Sequence, residues 1–87
     1  MKVVAQTIDT VTVFKGASRP VPYRFRYREA DGSEAVVTVE KVLMVEEKRP
    51  AGVPTIYYDC QSTIHGTQRR YQLKYTASEY KWELYKI

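Results

Sequence analysis

One cysteine and one histidine are all the soft-ligand chemistry this chain of 87 residues has. With Cys60 alone no intrachain disulfide can form, and a single thiol suits a reducing compartment. A structural zinc site takes four ligands, mostly Cys and His, so no metal is expected. Long apolar runs are missing too. No stretch is long enough to span a bilayer, and Met1-Lys2-Val3-Val4-Ala5-Gln6 carries no apolar signal region. The expectation is a soluble, cytoplasmic protein with no membrane partner. Glycine and proline number four each and lie apart, which fits a globular rather than a disordered chain. Gly16, Gly32, Gly52 and Gly66 compose no phosphate-cradling loop.

Catalytic signatures are equally scarce. No carboxylate pair stands out as an acid/base couple. His65 precedes Gly66 in a turn, with Asp59 its nearest acid in sequence, and reads as an exposed turn residue. Cys60 lies mid-strand and reads as a buried, inert thiol. Neither an enzyme nor a cofactor is expected. The length allows one domain, residues 1–87, with little core to spare.

What the chain does have is aromatic residues in alternation with charge. Aromatics make up 13%, eight of them tyrosine. Tyr23, Arg24, Phe25, Arg26, Tyr27 and Arg28 alternate strictly. On a strand such a run presents one aromatic and one cationic face, so Tyr23, Phe25 and Tyr27 are expected in the core under Val37, Tyr58 and Trp82. Charge is also laid out in blocks. Lys15, Arg19, Arg24, Arg26 and Arg28 occur with no acid among them, six carboxylates against Lys41 follow over 29–47, and bases exceed acids again from 48 onward. The net charge is +4.

Period-two patterns and turn punctuation set out six strands. The first spans 3–14, with Val11 and Val13 on one face, and a loop over 15–20 follows. Pro20 and Pro22 confine the start of the second strand, 23–28, to an edge. Asp31-Gly32 marks a tight hairpin turn. The third strand, 34–46, changes parity between Val39 and Val42, which a bulge or bend near Glu40-Lys41 reconciles; a helix over 39–48 is the competing reading. The loop 48–54 leads to a strand over 55–64 carrying Ile56, Tyr58 and Cys60 on one face. His65-Gly66-Thr67 turns it into a fifth strand with Tyr71, Leu73 and Tyr75 facing one way. The last strand, 80–87, offers Trp82 and Leu84 to the core. The pattern predicts an all-β fold: a single small antiparallel, partly open, SH3-like barrel of five to six strands.

Two readings of the cations stay open. Arg24, Arg26 and Arg28, spaced about 7 Å apart along a strand, suit successive phosphates of a nucleic acid, with Arg69, Arg70 and Lys74 extending the face. Tyr57, Tyr58, Tyr71, Tyr75, Tyr80 and Tyr85 then supply a stacking platform. Alternatively the arginines form a solvated face paired with Glu34, Glu40 or Glu46, and the tyrosines are core or rim residues.

Val11-x-Val13-Phe14-x-Gly16, Pro22-x-Arg24-Phe25-x-Tyr27, Val39-x-x-Val42-Leu43, Tyr57-Tyr58, Tyr71-x-Leu73-x-Tyr75 and Trp82-x-Leu84-Tyr85-x-Ile87 together resemble a family of small bacterial β domains of unknown function. Its members occur beside, or fused to, Y-family (error-prone) DNA polymerases. The likeness covers about residues 8–87. It implies an accessory role in DNA damage tolerance, and it carries over no catalytic residue. The family often has further tryptophans where this chain has Val45-Glu46-Glu47-Lys48. The leading expectation is therefore a non-enzymatic binding module that contacts DNA or a DNA-repair polymerase through a basic strand face. The alternative is a protein-interaction module that uses an exposed β edge or the acidic residues Glu40, Glu46 and Glu47. A small-molecule role at the barrel mouth is the least favoured.

Overall fold

Turn chemistry divides the chain into seven strands in the computed structural model, which describes residues 1–87. They are β1 (Val3–Val13), β2 (Val21–Arg28), β3 (Glu34–Thr38), β4 (Lys41–Lys48), β5 (Thr55–Ile64), β6 (Thr67–Thr76) and β7 (Lys81–Lys86). Single 3-10 turns at Pro50–Gly52 and Ala77–Glu79 are the only helical pieces. The β5–β6 hairpin shows the local logic. Ile64 pairs with Thr67, so His65 and Gly66 form a two-residue loop, and both have positive φ (50° and 75°). That combination matches the right-handed twist of the flanking strands.

All seven strands join one antiparallel sheet in the order β3-β2-β1-β7-β6-β5-β4. The sheet curls into a half-barrel and leaves β3 and β4 as its edges. The core lies on the inner side: Ile8, Phe25, Val37, Tyr58, Cys60, Ile64, Tyr71, Leu73, Trp82 and Leu84. Cross-strand register explains the set, because Tyr58 faces Leu73, Cys60 faces Tyr71 and Leu73 faces Leu84. Rings pack tilted, Phe25 on Tyr71 at 5.4 Å and Trp82 between Tyr58 and Tyr75 at 5.2 and 4.8 Å. Fully burying one such side chain contributes about 2 kcal/mol.

The strand expected over 34–46 divides at Val39-Glu40 into β3 and β4. This raises the count from six to seven and rules out the helical reading of 39–48. A buried hydroxyl holds the bend. Ser62 Oγ donates to the Thr38 carbonyl (2.7 Å) and accepts from the Glu40 amide (3.2 Å). Its one proton being committed, Tyr71 must donate its own to Ser62 (2.6 Å). The chain thus crosses from one side of the half-barrel to the other on a three-way hydrogen-bond junction.

The expected aromatic face of β2 is corrected at one residue. Phe25 is buried opposite Val37 and Tyr27 is half-buried, but Tyr23 is 49% exposed. The register against β1 moves from Thr12↔Pro22 to Val11↔Arg24, which leaves Tyr23 as the extra residue of a bulge. Pro22, which has no N–H to give the ladder, takes the inward place instead. Val11 and Val13 do share a face, and it is the outer one: both are exposed, and Ile8 is the buried residue of β1.

Candidate functional site

The six nominated cations fall on separate parts of the molecule. β2 and β6 are separated in the sheet by β1 and β7, so Arg70 and Lys74 do not continue the β2 row, and only Arg28 and Arg69 meet, as lining of one cleft. Within that row the middle member is neutralised. Arg26 donates to Asp9 (2.5 Å) across the β1–β2 ladder and lies 3.8 Å from Glu34 on β3. The hydrogen bond to Asp9 first, then the charge of Glu34, raise its already high pKa. Glu40 and Glu46, the other expected partners, are engaged elsewhere: Glu40 accepts from the Thr63 amide and Glu46 sits 3.7 Å from Lys48. Arg24 lies beside the ring of Tyr23 (5.6 Å). Neither Arg24 nor Arg28 has a carboxylate within 4.0 Å.

A denser arrangement lies on the outer face of β5, β6 and β7. There the alternation that buries Tyr58, Leu73 and Leu84 turns Tyr57, Lys74 and Glu83 outward in one row across the sheet. β7 bulges at Tyr85, since Leu73 faces Leu84 and Gln72 faces Lys86. This places both Tyr85 and Lys86 against the same face. The rings of Tyr57 and Tyr85 sit 5.8 Å apart. Three ammonium groups ring them: Lys74 at 5.9 and 5.0 Å from the two centroids, Lys48 at 5.3 Å from Tyr57 and Lys86 at 5.7 Å from Tyr85. Arg70, four residues before Lys74 on the same side of β6, has no ion-pair partner. The counter-charges are Glu46, 3.7 Å from Lys48, and Glu83, largely buried, 3.9 Å from both Lys74 and Lys81.

This outer site combines half-buried aromatic rings with clustered positive charge. A cation over a ring is worth about 0.5–1 kcal/mol at an exposed site; here both rings are half-buried, and Lys48 and Lys74 are held in addition by Glu46 and Glu83. Arg70, Lys74, Tyr57 and Tyr85 were recognisable in the sequence. Lys48, Lys86 and Glu83 were missed, because only the sheet order and the bulge at Tyr85 bring them together.

Arg69 alternates inward, opposite Ser62, and borders a cleft of about 500 Å³ at one mouth of the half-barrel. His65 lies in the same cleft and is partnered by Glu29, 36 residues away (2.5 Å), rather than by Asp59. Cys60 is fully buried, and burial followed by the charge of Asp59 pushes its thiol up to about 12, so no thiolate forms near neutral pH. No group of three or more His, Cys, Asp and Glu side chains converges as a metal set, and no helix is long and apolar enough to cross a membrane. Compared with known proteins, the chain matches no family model, no curated protein and no solved structure.

Proposed function

We propose that this domain is a non-enzymatic binding module for an anionic polymer, with single-stranded DNA as the preferred partner, taken on the outer face of β5–β7. The observation that carries the reading is the Tyr57–Tyr85 pair set among Lys48, Lys74 and Lys86. Bases stack on aromatic faces whatever their sequence, at about 1–3 kcal/mol each, while a positive surface follows the backbone. Arg70 extends the cationic track along β6. Arg24 and Arg28 on β2 are left for auxiliary phosphate contacts, because Asp9 and Glu34 already occupy Arg26. The resemblance to domains found beside Y-family polymerases agrees with such a role, and puts a repair polymerase among the partners to test.

Anisotropy of a labelled single-stranded oligonucleotide at increasing salt tests the proposal. Four contacts, from Lys48, Lys74, Lys86 and Arg70, give a log-log slope of about −3. The double variant Tyr57→Ala, Tyr85→Ala should weaken binding at least tenfold at every salt concentration, with little change in slope. Lys74→Ala or Arg70→Ala should reduce the slope by about one contact. Absence of binding at the lowest salt would refute the proposal.

A second reading rests on β4. It is a free sheet edge, and Val42, Leu43 and Met44 are exposed along it. An extended segment of a protein partner could add there as a further strand. The bulge between Val42 and Met44 limits that pairing to the stretch from Met44 onward.

A further inference from the structure

From the mouth of the half-barrel we infer a second binding site, independent of the outer face, for a small organic carboxylate with a compact apolar body. Its volume of about 500 Å³ lies within the usual range for small-molecule sites, about 300–1,000 Å³. Val4, Leu84 and Ile87 supply apolar wall, and Tyr27 and Arg69 line the same cleft. The charge balance decides which ligand fits. Arg69 belongs to the inward-facing set of β6, yet no carboxylate lies within 4.0 Å of it. A second arginine, Arg28, also lines the cleft, and the one acid there, Glu29, is tied to His65 and so is diverted from Arg69. An exposed guanidinium on the inward-facing side of β6, lining a partly apolar cleft with its local acid spoken for, suits a ligand carboxylate, which a guanidinium can hold with two parallel N–H donors.

The rim is built to keep this shape. Gln6 bridges the β1–β2 gap by accepting from the Arg28 amide (2.5 Å) and donating to the Arg28 carbonyl (3.0 Å). Ala5 adopts φ +46°, where the β1–β7 register slips between Val3 and Gln6. A β-bulge at a barrel rim re-aims the side chains beside it, here Val4 and Gln6, both of which line the cleft. A non-glycine residue at positive φ is also a backbone conformation that costs free energy and is held by its surroundings.

Amide chemical-shift titration of the whole domain with benzoate tests the inference, with benzamide as the neutral isostere and inorganic phosphate as a second anion. Benzoate should produce saturable shifts grouped at Tyr27, Glu29, Ala30, His65 and Arg69, whereas benzamide should bind at least tenfold more weakly. Phosphate, lacking an apolar body, should also fall short of benzoate. Arg69→Gln should lose about tenfold or more in benzoate affinity with an otherwise native spectrum, and Arg69→Lys should recover part of it. Arg49→Gln, in the exposed loop between β4 and β5 and outside the cleft lining, should behave as the parent. Equal binding of benzoate and benzamide, unchanged affinity in Arg69→Gln, phosphate binding as tight as benzoate, or no saturable shift at the mouth would each overturn the inference.

Discussion

Cys60 shows how one inert side chain can report on the whole fold. It is fully buried opposite Tyr71, and burial, with the charge of Asp59 second, raises its thiol from 9.0 to about 12. Burial likewise lifts Tyr58 from 10.0 to about 12, and Tyr71 above its ordinary value. In the unfolded chain these groups ionise at their ordinary values, while the folded protein holds them neutral. Their contribution is therefore intact below the unfolded pKa values and is lost as pH rises through the folded ones. Thermal melts followed by circular dichroism should show no loss from these groups up to pH 9.0, then a decline between 9.0 and about 12. Cys60→Ala should lower neutral-pH stability by about 1 kcal/mol through the small cavity it leaves. It should also delay the alkaline decline until the tyrosine range opens at 10.0. A variant whose alkaline limb overlays the parent's would show that the thiol contributes nothing to it.

Among the elements, the β3–β4 bend is the part most open to attack. Ser62 Oγ serves the Thr38 carbonyl, the Glu40 amide and the Tyr71 hydroxyl at once. Ser62→Ala leaves the buried Tyr71 hydroxyl and two part-buried backbone groups short of a partner and should cost about 2 kcal/mol in urea unfolding. Tyr71→Phe removes only one of the three bonds and should cost about 1 kcal/mol; the opposite ranking would show that the junction is not centred on Ser62. The parity change between Val39 and Val42 made the bend legible in the sequence, and alternation did the same for the inward faces of β5, β6 and β7. The bulges at Tyr23 and Tyr85 were not legible. A bulge depends on which residue of the partner strand stands opposite, and Thr12 and Gln72 are distant in sequence from the residues they govern. Hence Tyr23 was expected in the core, and Lys86 was not expected beside Tyr85.

Over the whole molecule, a modest charge of +4 is spread unevenly across one curled sheet. The Tyr-Arg alternation of β2 was the loudest signal in the sequence, but Asp9 and Glu34 balance it at Arg26 because β1 and β3 flank β2 on both sides. The quieter cations of β4, β6 and β7 converge on the tyrosine pair, and Glu46 and Glu83 are the carboxylates set among them. Glu83 faces both Lys74 and Lys81 at 3.9 Å, so it competes directly with any polyanion for those two lysines. Glu83→Gln keeps the side-chain shape, raises the net charge by one unit and releases both ammonium groups. If the outer face takes single-stranded DNA, this variant should bind more tightly than the parent by several-fold at low salt, and its log-log salt slope should steepen by about one contact. The ion pairs it breaks are partly buried, so stability should fall by about 1 kcal/mol. Affinity and stability would thus move in opposite directions, which a merely structural role for Glu83 does not produce. If affinity instead falls with stability, or the slope is unchanged, the lysines around Tyr57 and Tyr85 are not the surface that holds the polyanion.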